Sequence, residues 1–103
     1  MKSDVQKLND LVGYQEGTIV SKTIINKDNG TITIFAFDKD QALSEHIAPF
    51  DALLQVLDGE VEVTISGKKH HLTQGEIIIM PANVSHAVNA VNKFKMMIYM
   101  IKE

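Results

Sequence analysis

From Thr18 onward the chain consists of short runs of alternating apolar and polar residues, interrupted by turn-forming residues at intervals of roughly ten positions. This alternation has the period of a β-strand, whose successive side chains point to opposite faces. Strand-like runs at this spacing are typical of sandwiches and barrels. The separators are Asp58-Gly59, Ser66-Gly67, Thr73-Gln74-Gly75, Pro81-Ala82-Asn83 and Asn92-Lys93. The pattern therefore predicts an all-β protein.

The beginning of the chain has a different pattern. Ser3 and Asp4 are good caps for a short helix in which Val5 and Leu8 recur at helical spacing, and Gly13 stands where that helix could end. We therefore divide the chain into an N-terminal helical segment, residues 1–13, and a β-barrel domain, residues 14–103.

The barrel domain contains eight or nine candidate strands. The first two, within 19–25 and 31–37, are separated by Asp28-Asn29-Gly30, which predicts a hairpin with an Asx-Gly turn. Closing so many short strands into a double-sheet jelly roll removes most exposed sheet edges. The expected architecture is a jelly-roll barrel preceded by a short helix.

Charge and composition exclude several classes of function. The net charge is −3 and Lys68-Lys69 is the only adjacent basic pair, so nucleic-acid binding is not expected. There is no cysteine, which excludes disulfides, thiol catalysis and cysteine-ligated zinc. No apolar run approaches the ~20 residues that span a bilayer, and the start of the chain does not have the pattern of a signal peptide. We expect a cytoplasmic protein that does not associate with membranes.

Between residues 43 and 90, the spacing of the glycine, proline and histidine residues resembles the two consecutive motifs of the cupin superfamily. In the second motif, Gly75, Pro81 and His86 stand at the family's spacings, whereas Asn83 replaces a glycine and Ala90 replaces an asparagine. Asn83 is a suitable substitute because asparagine is the residue other than glycine that most readily adopts a positive φ. The turn at this point of the motif is therefore expected to persist.

The first motif aligns without a gap when it is counted back from Gly59. His46 takes the first histidine position, but Ala48 stands at the second histidine and Ala52 at the glutamate. In metal-binding cupins, both histidines and the glutamate of this motif hold one ion together with the histidine of the second motif. The resemblance implies a cupin barrel in which only His46 and His86 remain of four metal ligands.

Two imidazoles are fewer than the three protein ligands of a usual catalytic zinc site. Asp51 and Gln55 do not easily add a donor, because strand alternation points them away from the side on which Ala52 lies. His46 and His86 are therefore either polar residues of a mostly apolar pocket or weak ligands of a Zn, Ni, Fe or Mn ion.

Three functions remain open from the sequence. The leading hypothesis is a module that binds a small organic ligand, with His46, His86 and Met96 as ligand-binding residues. The alternative is a metal-dependent cupin enzyme of the dioxygenase, isomerase or decarboxylase type, in which His46 and His86 hold the ion. The third is a structural interaction domain with a filled pocket. No catalytic acid or base stands out, so an enzymatic activity is left undecided.

Two other features bear on these hypotheses. His70 and His71 are adjacent on one strand, so they face opposite sides and are expected at the surface or in a hairpin. The run Ile77-Ile78-Ile79-Met80 has no polar face, which suggests burial on both sides of an antiparallel sheet. A homodimer, which is common among small cupins, would explain that run.

Overall fold

The computed structural model describes residues 3–102, whose regular structure is a single 3₁₀ turn, Leu8–Asp10, and nine β-strands. The strands are β1 Ile19–Lys27, β2 Gly30–Phe37, β3 Ala42–His46, β4 Asp51–Asp58, β5 Glu60–Ile65, β6 Lys68–Thr73, β7 Ile77–Met80, β8 His86–Asn89 and β9 Phe94–Ile101. Eight of them fall where the alternation predicts strands. The exception, β3, carries the polar sequence Ala-Leu-Ser-Glu-His and is a strand because it pairs with β8.

The strands form two antiparallel sheets. The five-stranded sheet has the order β1-β2-β9-β4-β7, and the four-stranded sheet has the order β3-β8-β5-β6. After β3 the chain crosses repeatedly from one sheet to the other, so that strands distant in sequence become neighbours. This arrangement confirms the predicted all-β jelly roll.

Two turns can be compared with the expectations from the sequence. The predicted hairpin between β1 and β2 is confirmed, but Lys27 pairs with Gly30, so its two-residue turn consists of Asp28 and Asn29 and is not an Asx-Gly turn. Asn83 has a φ of 64°, the conformation expected for the residue that replaces glycine in the second motif. Its backbone N–H donates to the Ala48 carbonyl at 2.8 Å, which ties this turn to the loop that precedes β4.

The core between the sheets is built from the inward faces of their strands. Phe37 and Phe94 are paired across β2 and β9, fully buried, and their ring centroids are 4.6 Å apart. Gly59 lies beside them with a φ of 76°, and a side chain there would collide with the backbone of Lys93 and Phe94. The turn between β4 and β5 therefore requires glycine both for conformation and for space.

A second cluster lies on the outer face of the five-stranded sheet, under the N-terminal segment. Val12 is buried against Ile34 and Ala36 of β2. The hydroxyl of Tyr14 donates to Asp58 Oδ2 at 2.6 Å. Burial, followed by the contact with Asp58, raises the pKa of this phenol well above its ordinary value. These contacts attach the segment to part of the sheet.

The predicted N-terminal helix is wrong except for its last turn. Ser3 and Asp4 cap nothing, because no helix extends back to them and the 3₁₀ turn begins at Leu8 without a side-chain cap. Val5, which a helix would place beside Leu8 on a buried face, is fully exposed. A single helical turn has little stability of its own. The contacts of Val12 and Tyr14 are made by an irregular segment. Within residues 3–102 no helix has the length and apolarity needed to cross a membrane.

Candidate functional site

A cavity of about 130 Å³ lies between the two sheets. Strands β2, β3, β4, β7, β8 and β9 and the loop before β4 contribute to its wall. The lining residues are Phe35, Leu43, His46, Ala48, Ala52, Met80, His86, Val88, Met96, Ile98 and Met100. Among these, the two histidines are the only polar side chains, so the cavity is an apolar space with one polar spot.

Cross-strand pairing brings these two histidines together. His46 ends β3, His86 begins β8, and the two residues are direct partners in the antiparallel ladder. A register irregularity between Leu43 and His46 precedes this pair. His86 is only 6% exposed, whereas His46 is exposed, so the pair runs from the wall of the cavity to solvent.

The Nε2 atoms of the two rings are 3.0 Å apart, with the rings inclined at 71°. Such a contact requires one proton between the nitrogens, since two lone pairs repel each other. Nδ1 of His46 lies 2.8 Å from the Ser44 carbonyl, which can only accept, so this nitrogen carries a proton. In a neutral pair, the shared proton is therefore bonded to Nε2 of His86 and donated to His46.

The surroundings favour the neutral form of His86. Burial lowers its pKa below the ordinary value near 6.5, and the charge of a protonated His46 lowers it further. The Val84 backbone has a smaller effect in the opposite direction. Nδ1 of His86 is buried and has no hydrogen-bond partner of normal geometry among residues 3–102. Nδ1 of His86 is therefore the polar atom of the site that a ligand could contact.

Met96 lies on the inward face of β9 and is completely buried at the cavity wall. Two further methionines line the same cavity, Met80 on β7 and Met100 on β9. Of these three methionines, only Met96 was predicted from the sequence as a ligand-binding residue. Met100 has the same parity on β9, and this is a signal that could have identified it. The place of Met80 depends on which strands become neighbours, which no local pattern reveals.

The two alanines of the first motif, Ala48 and Ala52, also line the cavity. The expected outward direction of Asp51 and Gln55 is confirmed: Asp51 accepts from the Ala82 N–H at 2.8 Å, and Gln55 accepts from the Tyr99 hydroxyl at 2.7 Å on the outer face. Residues 3–102 contain no cluster of three or more histidine, aspartate or glutamate side chains placed to hold a metal ion. The donors present do not fit the three-ligand centre of a catalytic metal.

The other two histidines lie away from this cavity. His71 is exposed on β6, where its Nε2 lies 2.8 Å from Oε2 of Glu60. This contact, and a second one from Asn92, lower the pKa of Glu60. His70 is half-buried and points to the opposite face of the strand. As expected from alternation, the two adjacent histidines do not form a joint site.

These features define a jelly-roll protein with an internal apolar cavity and a histidine pair in its wall. Residues 33–102 match the family model described as the cupin domain. The chain belongs to the cupin domain family. No curated protein matches the sequence.

Several solved structures are similar over nearly the whole chain. A conserved protein of unknown function from Streptococcus pyogenes is 31% identical, with 100% of this chain and 90% of that chain covered and a TM-score of 0.94. A cupin superfamily protein from Desulfitobacterium hafniense is 24% identical, with coverage of 100% and 94% and a TM-score of 0.93. A cupin 2 conserved barrel domain protein from Leptotrichia buccalis is 44% identical over 92% of this chain, with a TM-score of 0.89. This chain spans 46% of that relative's length.

Proposed function

We propose that this protein binds a small, mainly hydrocarbon molecule that carries one hydroxyl group, without chemical turnover. The observation that carries the proposal is the contact between His46 and His86 in the wall of an otherwise apolar cavity. Binding sites for small molecules typically combine an apolar lining with a few polar groups that fix the ligand's orientation.

The size of the cavity restricts the ligand. An apolar cavity of about 150 Å³ accommodates benzene, and the cavity between the sheets is only slightly smaller, at about 130 Å³. The ligand is therefore of the size of one six-membered ring. Met80, Met96 and Met100 have flexible side chains that adapt to such a molecule and contact aromatic rings favourably.

The histidine pair determines which polar group is accepted. In the neutral pair, the nitrogen left for a ligand is Nδ1 of His86, which carries a lone pair, so the ligand must donate a hydrogen bond, as a hydroxyl can. A carboxylate or a ketone only accepts hydrogen bonds and finds no free N–H in the neutral pair, which the lowered pKa of His86 favours. The expected ligand is therefore a neutral phenol or alcohol.

Phenol and benzene are suitable probes because they share one ring and differ by a single hydroxyl. Binding can be followed by ligand-observed NMR for the unaltered protein and for His86→Leu, with His71→Leu as the control for a histidine outside the cavity. We expect phenol to bind more tightly than benzene. His86→Leu should weaken phenol binding by about tenfold, which corresponds to the loss of one hydrogen bond, and should leave benzene binding unchanged.

His71→Leu should leave both affinities unchanged. A further variant, Ala48→Leu, enlarges a side chain in the cavity wall and should weaken both probes. If neither probe binds the unaltered protein at millimolar concentration, or if Ala48→Leu affects neither affinity, the cavity is not the binding site. If phenol and benzene bind equally to the unaltered protein and to His86→Leu, the histidine pair does not select the ligand.

A further inference from the structure

Methionine side chains make one part of the cavity wall chemically reactive. Met80, Met96 and Met100 line the cavity that also contains His86. The strand pairing places two of them side by side, since Met80 on β7 and Met100 on β9 are both direct partners of Ala52 on β4. The side chain of Ala52 ends at Cβ, so the two methionines flank an open part of the wall. A thioether is apolar, but it is oxidised to a polar sulfoxide.

Met97 provides a comparison within the same chain. It is 5% exposed, against 3% for Met80, so bulk solvent is excluded from both side chains to a similar degree. Met97 lies on the outer face of the five-stranded sheet, in the cluster that Val12 and Ile34 form beneath the N-terminal segment. The two methionines therefore differ in their access to the cavity and not in their burial.

The free nitrogen of the histidine pair suits a particular class of oxidant. Nδ1 of His86 is buried and has no hydrogen-bond partner within the part of the chain that the structure describes. The ligand that fits this nitrogen has a small hydrocarbon body and one O–H group that donates. A small organic hydroperoxide has both features. It differs from an alcohol in its O–O bond, which a thioether can reduce.

We propose that the cavity is a site of methionine oxidation, in which Met80 and Met100 reduce a small organic hydroperoxide that donates a hydrogen bond to His86. The inference rests on the proposed function, because it assigns a ligand class to the same site. The sulfur of the protein is consumed in a stoichiometric reaction, so the process is a modification of the chain and not a turnover.

The reaction balances without a further reductant. The thioether sulfur attacks the distal oxygen of the hydroperoxide, so that an S–O bond forms as the O–O bond breaks. Sulfur is oxidised to the sulfoxide, and the hydroperoxide is reduced to an alcohol. The proton of the distal oxygen has to reach the leaving alkoxide oxygen. Nδ1 of His86 takes it from the first oxygen and returns it to the second, while the Nε2–H of His86 stays donated to His46.

Oxidation changes the properties of the cavity. The sulfoxide oxygen accepts hydrogen bonds and does not donate them, and the neutral His86 offers it a lone pair and not an N–H. A polar group buried without a partner costs free energy. The oxidised protein should therefore bind phenol more weakly and unfold at a lower temperature. Sulfoxide reductases reverse this oxidation, so the modification converts exposure to a hydroperoxide into a reversible loss of ligand binding.

The probe for this inference is tert-butyl hydroperoxide. It has the same number of non-hydrogen atoms as benzene, which a cavity of similar size accommodates. Peptide mass spectrometry with fragmentation measures the oxygen added to each methionine of the folded chain over time. The same measurement in urea gives the reactivity of each methionine without the fold. Relative to its rate in urea, Met80 should react roughly tenfold faster than Met97, because a reagent reaches Met97 through local opening of the fold.

Two kinds of control tie the oxidation to the cavity. Saturating phenol should slow the oxidation of Met80 and leave that of Met97 unchanged. His86→Leu should slow the oxidation of Met80 by about tenfold, as expected for the loss of one hydrogen bond, whereas His71→Leu should not change it. Hydrogen peroxide lacks a hydrocarbon body and should distinguish Met80 from Met97 less well.

A double variant tests the consequence for binding. Met80→Leu with Met100→Leu removes both reactive sulfurs and nearly conserves the volume of the side chains. Treatment with the hydroperoxide should weaken phenol binding to the unaltered protein and should not weaken it in this variant. Circular dichroism before treatment should show that the variant is folded.

The outcomes separate this inference from the proposed function. If phenol binds and Met80 reacts no faster than Met97, the oxidation is overturned and the binding of alcohols stands. If Met80 reacts faster and phenol neither binds nor protects it, the oxidation is supported and the binding of alcohols fails. Equal rates in His86→Leu and the unaltered protein would overturn the part assigned to His86. A larger difference between the two methionines with hydrogen peroxide than with tert-butyl hydroperoxide would overturn the organic class of the oxidant.

Discussion

The two pairs of histidines in this protein have opposite relations between sequence and space. His46 and His86 are separated by 40 positions, yet their Nε2 atoms are 3.0 Å apart. His70 and His71 are adjacent in sequence, yet they point to opposite faces of β6. In a β protein, the register between strands determines which side chains meet, and adjacency along one strand keeps them apart.

The surroundings of the two pairs also differ. His86 is buried in an apolar wall, where burial lowers its pKa and Nδ1 lacks a hydrogen-bond partner among residues 3–102. His71 is exposed and contacts the carboxylate of Glu60. His86 therefore lies in the wall of an apolar cavity, whereas the contact of His71 with Glu60 lies on a solvated surface.

The largest effect is expected from completing the donor set around His46 and His86. Ala48→His together with Ala52→Glu adds two donors on the wall of the same cavity, where both alanines lie. Four donors suit a transition metal far better than two. We expect one ion per chain after dialysis, against a substoichiometric amount for the unaltered protein, as measured by elemental analysis and by the absorption of bound Co²⁺.

The control for this change uses strand parity. Ala48→His combined with Gln55→Glu adds the same two side-chain types, but Gln55 lies on the outer face, beside Tyr99. This variant has three imidazoles at the cavity but no carboxylate there, so it should retain less metal than Ala48→His with Ala52→Glu. Equal metal content in the two double variants would show that the position of the added glutamate, in the cavity wall or on the outer face, does not affect metal binding.

The next effect concerns stability. His86→Leu replaces a buried ring that has an unpartnered nitrogen with an apolar side chain of similar size, while the exposed His46 can turn to water. We expect the free energy of unfolding to rise by about 1 kcal/mol, which for a domain of this size raises Tm by about 4 to 8 °C. Thermal denaturation followed by circular dichroism measures the change.

His71→Leu is the reference for that measurement, because it removes an imidazole that solvent already surrounds. It should not raise Tm. A lower Tm for His86→Leu would mean that the histidine pair stabilises the fold, and not that it is retained for binding at a cost in stability.

The sequence predicted the strands because alternation and turn formers act locally. It also predicted the hairpin between β1 and β2, the positive φ of Asn83 and the opposite directions of Asp51 and Ala52. Each of these depends on a residue's own conformational preference or on parity within one strand, and neither requires knowledge of the other strands.

What the sequence did not predict depends on contacts between distant parts of the chain. The spacing of Val5 and Leu8 suits a helix, but the residues of this segment that pack on the sheet are Leu11, Val12 and Tyr14. Strand β3 has no apolar alternation and forms by pairing with β8. The cavity wall joins residues of six strands, so its apolar character emerges only after the sheets are assembled.

The pH dependence of stability should separate the two pairs. The pKa of His86 is lower in the folded than in the unfolded chain, where it is near 6.5. The unfolded chain therefore binds more protons as the pH falls, and folding becomes less favourable. We expect the free energy of unfolding to decrease between about pH 7 and pH 5, and His86→Leu to remove most of this slope, so that its advantage over the unaltered protein grows at the acidic end.

Acidic residues do not interfere in this range. Glu60 and Glu76 have lowered pKa values, so their stabilising effect is lost only as the pH falls below the ordinary value of 4.5. Urea denaturation at several pH values provides the measurement, with His71→Leu as the reference. If His86→Leu shows the same slope as the unaltered protein, the slope arises from another group.

The smallest effect is expected at the exposed contact between His71 and Glu60. His71→Ala removes the larger of the two hydrogen bonds that lower the pKa of Glu60, and Asn92→Ala removes the smaller one. NMR titration of the Glu60 carboxyl should therefore show its pKa rising towards 4.5 in both variants, and further in His71→Ala. Phenol binding should not change in either variant, because this contact lies on the surface of β5 and β6 and shares no residue with the cavity wall. A loss of phenol binding in His71→Ala would mean that the contact of His71 with Glu60 is coupled to the histidine pair of the cavity. The four-stranded sheet, which contains all four residues, would then carry the coupling.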